Sequence, residues 1–127
     1  MKILLVVVVL GLSTLFGLVV PLNAQEKKED ELLLFLMAAR NAAKAGWADK
    51  AIQRYDAYLK KNPEDKDARL EFADYLQDRG YYEKAGIHYD ILIQKIGGVQ
   101  EGTDGFTKKL MLNAARNAFK NKNEDRA

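Results

Sequence analysis

A stretch that opens at Gly46 opens again at Gly80, and the two copies align without a gap. Lys50-Ala51 returns as Lys84-Ala85, Tyr55 as Tyr89, Asp56 as Asp90 and Leu59 as Ile93, each 34 residues further on. A fixed period of this length marks a repeat array, in which no unit can bury its apolar face without a neighbour. The small residues Ala38, Ala39 and Ala42 precede Gly46, and Ala51, Tyr55, Leu59 and Pro63 follow it. That is the spacing of a helix, a tight turn, a second helix and a stop.

The first helix is expected over about Glu31–Ala45. Leu32 to Met37 makes it apolar on every side, which calls for burial on more than one face. Gly46 ends it, because a left-handed residue costs glycine little. Trp47 in the turn reads as a packing residue. The second helix, about Ala48–Lys61, places Ala51, Ile52, Tyr55, Tyr58 and Leu59 on one face, and Asn62-Pro63 stops it. Glu64, Asp65 and Asp67 then stand at the start of a third helix, about Lys66–Arg79, where negative charge caps the helix dipole. Its core positions are Ala68, Leu70, Phe72, Ala73 and Leu76; those of the fourth helix, about Tyr82–Lys95, are Ala85, Tyr89, Leu92, Ile93 and Ile96.

Ile96 to Gly105 holds four glycines and reads as a loop. Beyond it Ala38-Ala39-Arg40-Asn41-Ala42 reappears as Ala114-Ala115-Arg116-Asn117-Ala118, two periods plus eight residues away. A fifth helix over about Phe106–Lys122 is therefore the first helix of a third unit and caps the array. Its apolar face is expected to carry Phe106, Leu110, Leu112, Ala114, Ala115, Ala118 and Phe119.

The pattern over roughly Glu31 to Lys95 resembles the tetratricopeptide repeat. The resemblance implies an all-α helix-turn-helix solenoid of two full repeats plus a capping helix, spanning 31–122 with a short tail at 123–127. It also implies a concave face, built from the first helix of each pair, that holds peptides or extended segments of partner proteins. Carried over position by position, that face takes Leu33, Leu36, Arg40, Ala43 and Lys44 from the first helix and Asp67, Leu70, Asp74, Gln77 and Asp78 from the third. The internal match adds Lys109, Leu112, Arg116 and Lys120. Arg40/Lys44, Asp74/Asp78 and Arg116/Lys120 then form basic, acidic and basic rows. Either these rows pair with one another across neighbouring helices, or the arginines and lysines await a carboxylate in a ligand. The pattern departs from the asparagine-and-lysine clamp that some members of the family use for a C-terminal carboxylate.

The N-terminus has a separate logic. Lys2 is followed by an apolar run from Ile3 to Val20, then Pro21, Ala24 and the polar stretch Gln25–Asp30. A basic start, an apolar core and a small residue at Ala24 read as a signal peptide over 1–24, with 25–30 as a polar tether. The alternative is an uncleaved anchor, since residues 3–20 approach the ~18 to 20 apolar residues that cross a bilayer. Both readings put the repeats outside the cytosol, in a periplasm or secreted, or held at the inner membrane by the leader.

No cysteine is present, so neither disulfide nor thiolate metal site braces the fold. Twenty basic residues against 18 acidic ones form no basic stripe, which argues against nucleic acid. Ser13 is the only serine and lies in the leader, and His88 is the only histidine and reads as a solvated surface residue. No enzyme, cofactor or metal is therefore expected. The expected function is a protein-interaction scaffold of the cell envelope, with a homo-oligomer open. Two other readings stand beside it: an assembly subunit of an export complex that docks through the apolar first helix, and a saccharide binder using Trp47 and the tyrosines.

Overall fold

Gly46 and Gly80 both take a left-handed backbone, with φ of 78° and 83°, and each closes a helix in the same way. Trp47 N–H reaches back to Ala42 O at 3.0 Å and Gly46 N–H to Ala43 O at 3.2 Å; Tyr81 to Leu76 and Gly80 to Gln77 repeat the pair at 2.9 and 3.1 Å. This double closure is a Schellman motif, and it satisfies carbonyls that a helix end leaves open. The aromatic residue that follows each glycine opens the next helix, since Ala51 N–H bonds Trp47 O and Ala85 N–H bonds Tyr81 O.

The computed structural model describes residues 22–97 and 104–124. Among them are five helices: α1 (Leu22–Lys44), α2 (Ala48–Lys61), α3 (Lys66–Asp78), α4 (Tyr82–Lys95) and α5 (Gly105–Glu124). They pack sequentially as helical hairpins, α1 with α2 and α3 with α4, and α5 lies against α4 with a lesser contact to α3. The chain divides into two units, up to Leu34 and from Phe35 onward.

In the first unit, α1 begins at Leu22 rather than Glu31, so Gln25–Asp30 is exposed but helical. No glycine or proline separates Leu22 from Ala45, and Gln, Glu and Lys propagate a helix well. Leu33 and Leu34 point largely into solvent. The leader core at residues 3–20 and the loop at 98–103 lie outside the described residues. No described helix is long and apolar enough to cross a membrane.

In the second unit, the buried set follows the expected periodicities, except that Ile52, Ile93 and Ile96, expected in the core, are only partly buried. Leu36, Ala39 and Ala42 of α1 and Ala51, Tyr55, Tyr58 and Leu59 of α2 are buried, with Phe72, Leu76, Tyr89 and Leu92 at the centre. Small side chains on α1 let α2 approach closely enough for Arg54 Nη1 to bond Ala38 O at 3.0 Å. The Tyr55 and Phe72 rings stack at 4.9 Å. Asp65 caps α3 by accepting from Ala68 N–H at 2.9 Å, and Asp104 caps α5 by accepting from Thr107 N–H at 2.6 Å. The Thr107 amide and, after it, the Thr107 hydroxyl hold the Asp104 carboxyl below its usual range.

Three expectations are corrected. Trp47 is 56% exposed, with Lys50 Nζ 4.7 Å from its ring centre; the left-handed turn at Gly46 carries its side chain away from the helix pair. His88 is half-buried rather than solvated, tilted on Phe72 at 4.8 Å with Nδ1 3.2 Å from Arg69 Nη1. Burial, followed by the Arg69 charge, lowers its pKa. The buried face of α5 is Thr107, Leu110 and Asn117, while Leu112, Ala115, Ala118 and Phe119 are exposed. Polar groups fix that rotation: Asn117 Nδ2 donates to Tyr82 O at 2.9 Å, Asn113 Nδ2 to Asp74 Oδ1 at 2.7 Å, and Gln77 Nε2 to Asn113 O at 3.0 Å.

Candidate partner-binding groove

Asp67, Glu71, Asp74 and Asp78 are spaced four, three and four residues apart, which sets four carboxylates along one face of α3. That face forms the floor of an open groove of about 660 Å³. Tyr55 of α2 borders it on one side, and Gly105, Phe106 and Lys109 of α5 border it on the other. Leu70 and Tyr75 contribute the apolar part of the floor.

The two central acids are committed to the protein. Glu71 accepts from Arg40 Nε and Nη2 at 2.8 and 2.6 Å, and Oε1 also accepts from the Tyr55 hydroxyl at 2.6 Å. The Arg40 hydrogen bond holds the Glu71 carboxyl below its usual range despite partial burial, and the same bond raises Arg40. Asp74 accepts from Tyr89 and Asn113 at 2.8 and 2.7 Å, and its second oxygen meets Lys109 Nζ at 3.2 Å. Burial first, and then the hydrogen bonds to these acids, push the Tyr55 and Tyr89 hydroxyls well above the ordinary tyrosine pKa. Asp67 and Asp78 are exposed at the two ends and form no ion pair among the described residues.

The expected site residues separate accordingly. Leu70, Asp74 and Asp78 line the groove together with Asp67 and Lys109. Leu36 is buried in the helix pair and Gln77 lies under α5. Leu33 belongs to the first unit, and Lys44, Leu112 and Arg116 are exposed outside the groove lining. Lys120 lies 5.7 Å from the Tyr82 ring centre. Neighbouring charge rows do pair, but by Arg40–Glu71 and Lys109–Asp74 rather than between the rows first expected.

Glu71, Tyr55, Tyr75 and Phe106 are groove residues that sequence reasoning missed. Glu71 is within reach of the four-residue step after Asp67, whereas Tyr55 reads only as a core position, Phe106 as part of the apolar face of α5, and Tyr75 as neither core nor groove. A second, shallower cleft of about 510 Å³ lies between Trp47 and Tyr81, the equivalent aromatics of the two repeats. Among the described residues no group of three or more histidine or acidic side chains is placed to hold a metal ion. Compared with known proteins, the chain matches no family model, no curated protein and no solved structure.

Proposed function

We propose that this chain is a tetratricopeptide-like, non-enzymatic protein-interaction module that is exported to a periplasm or secreted, and that its groove holds an extended segment of a partner protein. The carrying observation is the open groove over α3, in which aromatic and aliphatic side chains lie between two exposed carboxylates that the fold leaves unpaired. Asp67 and Asp78 stand eleven residues apart on one helix, roughly 16 Å at 1.5 Å per residue. An extended segment covers that span with about five residues at ~3.3 Å each. Such a segment carries a lysine or arginine near each end and an apolar side chain between them, which settles over Tyr75 and Phe106. The 34-residue repeat and its two identical glycine corners support the family reading, and the apolar leader supports export.

The test is a photo-crosslinking amino acid at position 78 of the full chain in its native source, with the captured segment identified by mass spectrometry. Asp67→Lys with Asp78→Lys should abolish capture and leave helicity and thermal midpoint nearly unchanged, because both side chains are exposed and unpaired. Capture that survives this double reversal in a folded protein refutes the groove. A second reading, an assembly subunit docking through α1, is favoured by the solvent exposure of Leu33 and Leu34; Leu33→Glu with Leu34→Glu would then remove capture instead.

A further inference from the structure

Helix α5 exposes the positions that the other first helices of the array bury. The internal repeat puts Leu36, Leu70 and Leu112 at one helical position, Ala39, Ala73 and Ala115 at the next, and Ala42, Leu76 and Ala118 at a third. In α1 and α3 the leucines are 7% and 4% exposed and the residues at the other two positions are buried. In α5 Leu112 is 59% and Phe119 69% exposed, and Ala115 and Ala118 are exposed as well. The physical difference is a covering helix. α2 folds back on α1 and α4 on α3, whereas among the described residues no helix lies over this face of α5.

Charge defines what can lie there. Lys108, Arg116 and Lys122 fall three or four residues from Leu112, Ala115 or Phe119, so they flank the same stripe. They form no ion pair among the described residues, and Glu124 is the only acid within α5. A second copy of α5 laid on this face would bring like charges together.

We propose that the stripe centred on Leu112, Ala115 and Phe119 is a docking site for one amphipathic helix of a partner protein. That helix packs on α5 as α2 packs on α1, through an apolar face of small, aromatic and leucine residues, and carries carboxylates on its flanks. The site is separate from the groove and uses a different recognition mode, an apolar helix face laid against another helix, with charge fixing the choice of partner.

The probe is a labelled synthetic peptide of the α2 sequence, residues 48–61, with Lys50→Glu, Lys60→Glu and Lys61→Glu, titrated against the full chain by fluorescence anisotropy. Saturable binding is expected, weakened by at least about tenfold by Leu112→Glu or Phe119→Glu, since loss of one apolar anchor removes more than ~1.4 kcal/mol. Both variants should retain the wild-type circular dichroism and urea midpoint. Arg116→Glu should weaken binding, and Asp67→Lys with Asp78→Lys should leave it unchanged. Absence of saturable binding, affinity indifferent to Leu112→Glu, or loss of binding on changing the groove acids would each overturn the proposal. So would a homodimer in sedimentation that Leu112→Glu dissociates, because the face would then belong to a second copy.

Discussion

Leu110 and Leu112 are the same residue type two positions apart on one helix, and their environments are opposite: Leu110 is 0% exposed and Leu112 59%. Truncating each to alanine removes three carbon groups. At about 0.8 kcal/mol per buried group, full burial gives a transfer loss of ~2.4 kcal/mol for Leu110→Ala. The residual cavity adds to this, within an overall range of ~2 to 5 kcal/mol. Because α5 is a terminal helix that can settle toward α4, the lower half of that range applies, about 3 kcal/mol. Leu112→Ala loses only the buried minority of its side chain, under about 1 kcal/mol by the same scale. With an m-value of ~1.5 kcal/mol per molar urea, the expected fall in midpoint is about 2 M for Leu110→Ala and well under 1 M for Leu112→Ala. Urea titration of the full chain by far-UV circular dichroism, with a check that m is unchanged, measures both. Equal losses, or a larger loss at Leu112, would show that α5 presents a different face to α3 and α4 and would remove the docking stripe with it.

Charge reversal at Arg40 tests the observed pairing: Arg40→Glu sets an acid against Glu71, and Glu71→Lys should rescue it where Asp74→Lys does not. The coupling, read from a double-mutant cycle of urea midpoints, should be under about 1 kcal/mol and shrink with salt, because the pair is partly exposed. His88 predicts a pH dependence of its own. Its folded pKa is lowered by burial and Arg69, with Asp56 opposing weakly, so the unfolded chain takes up the proton first. Stability should rise with pH up to about 6.5 and fall as the pH drops through the interval below it. His88→Phe should flatten this step in urea midpoints measured against pH, while the lower-pH step from Glu71, whose carboxyl is depressed, should remain.

The parts of this fold that sequence made legible are those set by backbone and period. Gly46 and Gly80 needed a left-handed corner and have one, Asp65 caps α3, and the three-and-four spacing of Ala51, Tyr55 and Leu59 gave the buried face of α2. What escaped was set by rotation and stagger between helices. In α5 the apolar residues outnumber the buried positions, and the choice among them falls to Asn113 and Asn117, whose bonds to α3 and α4 fix the rotation. Arg40 faces Glu71 rather than Asp74 because the stagger of α1 on α3 selects the partner. Trp47 misled because an aromatic residue reads as core wherever it occurs, while here the corner turns it outward.

Helices that pack chiefly on their sequence neighbours have a kinetic consequence. Such contacts close short loops, so low contact order favours rapid assembly, and a hairpin such as α3 with α4 can nucleate before the rest is placed. Unfolding then has an order as well. α5 is held from one side only, through Leu110 and the asparagine bonds, so its amides should exchange with solvent through openings that leave Phe72, Leu76 and Leu92 protected. Among the described helices α5 should therefore open first under native conditions, ahead of the single cooperative transition that urea reports, and the face it would release carries Leu112 and Phe119.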